Sequence, residues 1–98
     1  MSVAKYSLYV PVTDNNGQPI PGVLLHVQKQ LESLFGGFSV YDITGYWQGG
    51  YEHVRVFYVF AGSEAVLKDF LDLAAYVKTA ANQESVLVTC EAAETYFV

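Results

Sequence analysis

Apolar and polar residues alternate from Tyr6 to Val12, which sets Tyr6, Leu8, Val10 and Val12 on one face of a half-buried strand and turns Tyr9 outward. Pro11 has no amide hydrogen for a ladder, so the strand is paired on one side there or is ending. The run Asp14-Asn15-Asn16-Gly17 is a loop by composition. Beyond it the period changes. Ile20, Leu24, Val27, Leu31 and Leu34 recur at helical spacing, while His26, Lys29, Gln30 and Ser33 fall elsewhere, so His26 reads as a surface residue. Pro21 suits a first helical turn, and Gly36-Gly37 supplies a left-handed stop.

Phe38 to Trp47 reads as a second strand, with Gly45 as a bulge position. Gln48-Gly49-Gly50 signals a hairpin. Tyr51 to Phe60 is the strongest strand: Val54, Val56, Tyr58 and Phe60 share one face, and His53, Arg55, Phe57 and Val59 share the other. Both faces turn apolar towards its end, which predicts a central position. Ser63 is a good N-cap, and Val66, Phe70, Leu73, Val77 and Ala80, joined by Leu67, Leu71 and Ala74, form a wide helical stripe that closes near Asn82. Ser85 to Glu91 predicts a fourth strand, and Thr95 to Val98 a short further one.

The order β-α-β-β-α-β predicts an α+β fold of the ferredoxin-like type, in which a four-stranded antiparallel sheet carries two helices on one face. Residues 1–98 form a single domain. Tyr58 and Phe60 are expected on the helix-covered face, and Tyr9, His53, Arg55 and Phe57 on the open one. A contiguous apolar open face on a monomer would be unusually large, so it is expected to pack on another subunit or a ligand.

Composition narrows the function. Of 98 residues, 52% are apolar and fifteen are aromatic, more than so small a core needs. Ten acidic residues outnumber five basic ones, and Arg55 is the sole arginine. The lysines are scattered, so no basic face exists for nucleic acid or an anionic membrane. Cys90 is the one cysteine: it can make no internal disulfide and offers no zinc spacing. It sits in an apolar run and reads as a buried thiol in a reducing, cytoplasmic setting. No signal peptide, membrane span, metal set or cofactor motif is expected.

The densest chemistry lies in Gly45-Tyr46-Trp47-Gln48-Gly49-Gly50-Tyr51-Glu52-His53, with Arg55 just beyond. Aromatic planes can stack on a base, a guanidinium can pair with phosphate, and a carboxylate can accept from amino or hydroxyl groups. The expected ligand contacts are therefore Tyr46, Trp47, Glu52, His53 and Arg55, with Tyr9 from the open face. Tyrosine, tryptophan and arginine are equally the residues of a subunit interface. Glu52 and His53 are strand neighbours and point to opposite faces. Asp42, a carboxylate in an apolar strand, is either at an edge or paired, with Arg55 the candidate partner. Gly49-Gly50 precedes a strand, so it is not a phosphate loop.

Tyr46-Trp47-Gln48-Gly49, then Glu52 and the apolar strand to Phe60, resembles the middle of CutA-type proteins, which belong with the PII signalling proteins in a trimer-forming superfamily. Gln48 stands where that family's hairpin carries lysine. Phe35-Gly36-Gly37-Phe38 through Gly45-Tyr46-Trp47 also resembles small bacterial and phage proteins with no established activity. The PII-like resemblance implies a trimer with ligands, adenine nucleotides among them, in clefts between subunits near the hairpin. Some phage proteins of this size are oligomeric traps for nucleotide signals of host defence. The expectation is a cytoplasmic homo-oligomer, trimer or dimer, that binds or sequesters a small, nucleotide-like molecule without catalysis. The alternatives are a dimeric α/β-barrel enzyme of the monooxygenase or isomerase kind, with His53 as acid/base, and a protein-interaction module.

Overall fold

The structure is a computed structural model and describes residues 2–98. The chain forms β1 (Ser2–Pro11), α1 (Pro21–Phe35), β2 (Ser39–Trp47), β3 (Gly50–Ala61), α2 (Ala65–Ala80) and β4 (Val88–Glu94). The sheet order is β2-β3-β1-β4, and every neighbouring pair is antiparallel. Each helix therefore joins two parallel strands across an intervening one: α1 joins β1 to β2 over β3, and α2 joins β3 to β4 over β1.

Local chemistry sets the element ends. Pro21 opens α1, and Gly36 closes it at φ 76° with its amide donating to Glu32. At α2 the N-cap is Glu64 rather than the expected Ser63, whose hydroxyl accepts the Ala65 amide at 3.3 Å from two residues before the helix, and Asn82 follows its end at φ 51°. Gln48 at φ 49° and Gly49 at φ 81° make the β2–β3 turn left-handed at both central positions, which matches the strand twist.

The core lies between the helices and one sheet face. Tyr6, Leu8 and Val10 of β1 and Phe57 and Val59 of β3 meet Val23, Val27 and Leu31 of α1 and Phe70, Leu73 and Val77 of α2. The register pairs Leu8 with Phe57 and Tyr6 with Val59, so those residues share a face. Tyr6 donates its hydroxyl to the Ser63 carbonyl at 3.3 Å, and burial pushes its phenol above the ordinary value, with the Cys90 thiol and Glu64 adding to the shift.

Several expectations are corrected. The two faces of β3 are exchanged: Phe57 is core, while Tyr58 and Phe60 lie on the uncovered face with Tyr9. In α1 the buried stripe is Val23, Val27 and Leu31, and Leu34 is exposed. Leu67 and Leu71 of α2 are also exposed. Gly45 pairs regularly with Glu52, so there is no bulge there. The fourth strand starts at Val88 rather than Ser85, and residues 95–98 form no strand. Cys90 is exposed on the edge strand β4, although as the register partner of Tyr6 it faces the helix side of the sheet. His26 is half-buried between the helices, its ring 4.0 Å from that of Tyr76.

Candidate functional site

β1 ends opposite Val54, so Gly50 to Glu52 pair only with β2 and the hairpin tip projects past the rest of the sheet. The chain leaving β1 runs beside this projection, with the Val12 amide donating to the His53 carbonyl at 3.2 Å. The loop then folds on itself. Asp14 Oδ1 accepts the amides of Asn16 and Gln18, each at 2.9 Å, as an aspartate-initiated turn does. Asn15 ties the loop to the end of α2 through its Nδ2, which donates to the Asn82 carbonyl at 2.9 Å, and through its Oδ1, which accepts from Gln83 Nε2 at 3.3 Å.

Between this pinned loop and the hairpin tip lies a cleft of about 330 Å³, lined by Trp47, Tyr51, Glu52 and His53 on one side and by Thr13, Asp14, Asn15 and Gln83 on the other. Its lining contains no lysine or arginine. Trp47 is 66% exposed and Tyr51 80%, so the aromatic planes at the tip are free to stack. Tyr51 also meets Tyr46 edge-on at 5.2 Å between centroids. The Thr44 hydroxyl lies 3.5 Å from His53 Nδ1, across the β2–β3 ladder.

The expected ligand contacts do not all converge. Trp47, Glu52 and His53 line the cleft, while Tyr46 stands at its margin through Tyr51. Arg55 lies elsewhere. Its Nε donates to Asp42 Oδ1 at 2.8 Å and its NH2 group to Oδ2 at 3.4 Å, in a second hollow of about 300 Å³ beside Gln28 of α1. That hydrogen bond holds the Asp42 carboxyl below the usual carboxylate value and raises the guanidinium further. The expected Asp42–Arg55 pairing is thus present, and it leaves Arg55 occupied. Tyr9 lies on the uncovered sheet face as Val56's register partner.

His53 and Arg55 share the helix-side face with Phe57, the reverse of the expected placement. A chamber formed by two uncovered sheet faces would therefore not receive the His53 ring, which removes the acid/base from the dimeric-barrel arrangement. No group of three or more metal-ligating side chains occurs among the described residues.

The uncovered face presents a cluster of rings. Tyr41, Tyr58 and Phe60 form a chain of edge-on rings, 5.7 and 5.8 Å apart, and Lys5 Nζ sits 4.5 Å from the Tyr58 centroid. Beneath Tyr9 and Tyr41, its two register partners, Val56 is fully buried. Within the described residues no helix is long and apolar enough to cross a membrane.

No protein-family model and no curated protein matches the chain. Among solved structures, a de novo designed protein, Foldit4, is similar at 9% identity, covering 97% of this chain and 98% of that one with a TM-score of 0.51. That likeness is one of fold alone: four antiparallel strands and two helices in an α+β arrangement.

Proposed function

We propose that the protein is a small ferredoxin-like, PII-like binding protein that acts as a homo-oligomer and takes a small planar molecule in the cleft at the hairpin tip. The strand order, read from the other edge as β4-β1-β3-β2, and the two crossovers that each span a strand support the ferredoxin-like assignment. One observation carries the binding reading: exposed Trp47 and Tyr51 border a cleft whose remaining walls, Glu52, His53, Asn15 and Gln83, supply donors and acceptors. Stacking with polar contacts at the ring edge is how an aromatic heterocycle is held.

The charge layout refines the ligand. Arg55 is engaged by Asp42 and the cleft has no cation of its own, so a phosphate would need neutralising by a neighbouring subunit. The cleft favours an uncharged nucleoside or base over a triphosphate. The reading is non-catalytic, serving to signal or sequester, and cytoplasmic, where an exposed single thiol such as Cys90 stays reduced.

Melting of the purified chain against a panel of bases, nucleosides and nucleotides tests this. The expected result is a rise in melting temperature with at least one uncharged heterocycle, lost in Trp47→Ala. If no compound moves the transition of either protein, the reading fails.

A further inference from the structure

The uncovered sheet face is the largest feature that the hairpin cleft does not use. Its centre is mainly apolar: Tyr9, Tyr41, Val56, Tyr58 and Phe60 surround the buried Ser7, and Leu87 reaches its edge beside Tyr9. Phe60 is 44% and Leu87 56% exposed. Neither helix covers it, since both pack on the face of Leu8 and Phe57.

The charged side chains of this face are Lys5, Glu91 and Glu52, and the Lys5 ammonium leans inward over the Tyr58 and Tyr41 rings. Lys5 pairs in register with Phe60 at one end. Glu52 lies at the other end, where its side chain crosses Gly45, its register partner on β2. Eight residue steps along β3, from Glu52 to Phe60, separate the two ends, roughly 27 Å at the rise of an antiparallel strand. Glu91, the register partner of Lys5 on β4, stays at the outer edge.

We infer that this face seats a second copy of the chain, sheet on sheet, about a two-fold axis that runs across the strands, an inference that rests on the homo-oligomer of the proposed function and names its interface. The axis direction follows from the charges. A two-fold along the strands would lay β1 over the copy's β3 and leave the two Lys5 side chains side by side at the same end, far from either Glu52. A two-fold across them reverses the strands and brings Lys5 of each copy towards Glu52 of the other, twice per dimer. It also keeps each strand over its own copy, so Glu91 remains over β4 and clear of Glu52.

The area is modest. Only β3 spans that whole length, so a rectangle four strands wide at about 4.8 Å spacing, roughly 500 Å², is an upper bound on the flat footprint. The protruding rings add relief to it, and a standard interface buries roughly 800 Å² per partner. A footprint at the small end makes this a small interface, so the dimer is sought at micromolar concentrations and above.

Sedimentation of the full chain across micromolar concentrations reads this directly. A monomer–dimer equilibrium is expected. Lys5→Glu and Glu52→Lys should each weaken the dimer roughly tenfold, as reversal of an interfacial charge does, and the double variant should recover at least part of that loss. Phe60→Asp should give a monomer with an unchanged circular dichroism spectrum. A monomer at every concentration, a trimer, or a double variant no better than either single one would overturn the inference. The ligand panel run on the Phe60→Asp monomer separates the two proposals. A retained melting shift without a wild-type dimer sinks only the interface, and a dimer without any shift sinks only the ligand reading.

Discussion

Arg55 Nε donates to Asp42 Oδ1 at 2.8 Å, and the two residues face each other in register across the β2–β3 pair. The contact ties the outermost strand to its neighbour where α1 no longer covers the sheet fully. The arginine side chain is 36% and the aspartate 62% exposed, so solvent screens the pair and its contribution is small.

Its pH dependence has a definite sign. The Asp42 carboxyl is lowered in the fold, first by the hydrogen bond from Arg55. A carboxylate held low stabilises the fold above its unfolded value, about 3.9 for aspartate. That contribution is lost as pH falls through the lowered folded value. Asp42→Asn should therefore melt slightly below wild type at pH 7, and the difference should close on acidification below about pH 3.9. Melting curves of both proteins at neutral and acid pH check it. A gap that widens in acid would refute the assignment.

The same strands show what pattern alone conveys. The order of elements follows from changes of period, and Pro21 and Gly36 bound α1 in sequence as in the fold. The faces of β3 do not follow. From Val56 to Phe60 both of its faces are apolar, so alternation carries no sign, and the choice rests on β1, whose Leu8 and Tyr6 oppose Phe57 and Val59. β4 was displaced for another reason: the run Glu91-Ala92-Ala93-Glu94 lacks strand character and is held by pairing with Ser2 to Lys5. Trp47, Glu52 and His53 meet because a tight turn joins neighbours in sequence. The other wall of the cleft, Asn15 and Gln83, depends on a loop-to-helix contact that no local signal announces. Arg55 is only two residues from His53, yet it is drawn to Asp42 and leaves the cleft.

Phe70 is fully buried, with its ring 5.9 Å from both Tyr6 and Phe35, so it joins α2 to β1 and to the end of α1. Removing it leaves a cavity that three elements border. Phe70→Ala should cost about 3–5 kcal/mol, a large share of the roughly 5–15 kcal/mol by which a domain is stable. Urea denaturation should show a lower midpoint with an unchanged slope. A loss under about 1 kcal/mol, the size usual for surface changes and mild core swaps, would mean the site does not hold these elements together.

The hairpin turn offers a test free of packing. Gly49 has φ 81°, and an added Cβ there would meet nothing within 4 Å. Any loss in Gly49→Ala is then conformational, about 1–2 kcal/mol for a residue forced left-handed. Gln48 already bears part of that strain at φ 49°. Gln48→Asn should raise the melting temperature, since asparagine tolerates this region better. The paired variants should move stability in opposite directions, and a turn of another type would show no such opposition.

Trp47 reports on the candidate site by itself, because it is the only tryptophan in the chain. It is 66% exposed at the projecting tip, with the Tyr46–Tyr51 pair as its aromatic neighbour along the hairpin. In the Phe60→Asp variant, where subunit contacts are removed, its emission should resemble that of indole in water. Acrylamide should quench it nearly as well as in the urea-unfolded chain. A planar ligand stacked in the cleft would displace water from the ring, so emission should move to shorter wavelength and quenching should fall as ligand is added. Tyr51→Ala opens the cleft without touching the fluorophore, and should weaken that response while leaving the ligand-free spectrum unchanged. Emission already blue-shifted and protected in the ligand-free monomer would mean that the tip folds onto the body of the protein, and the cleft could not then accept a stacked ring.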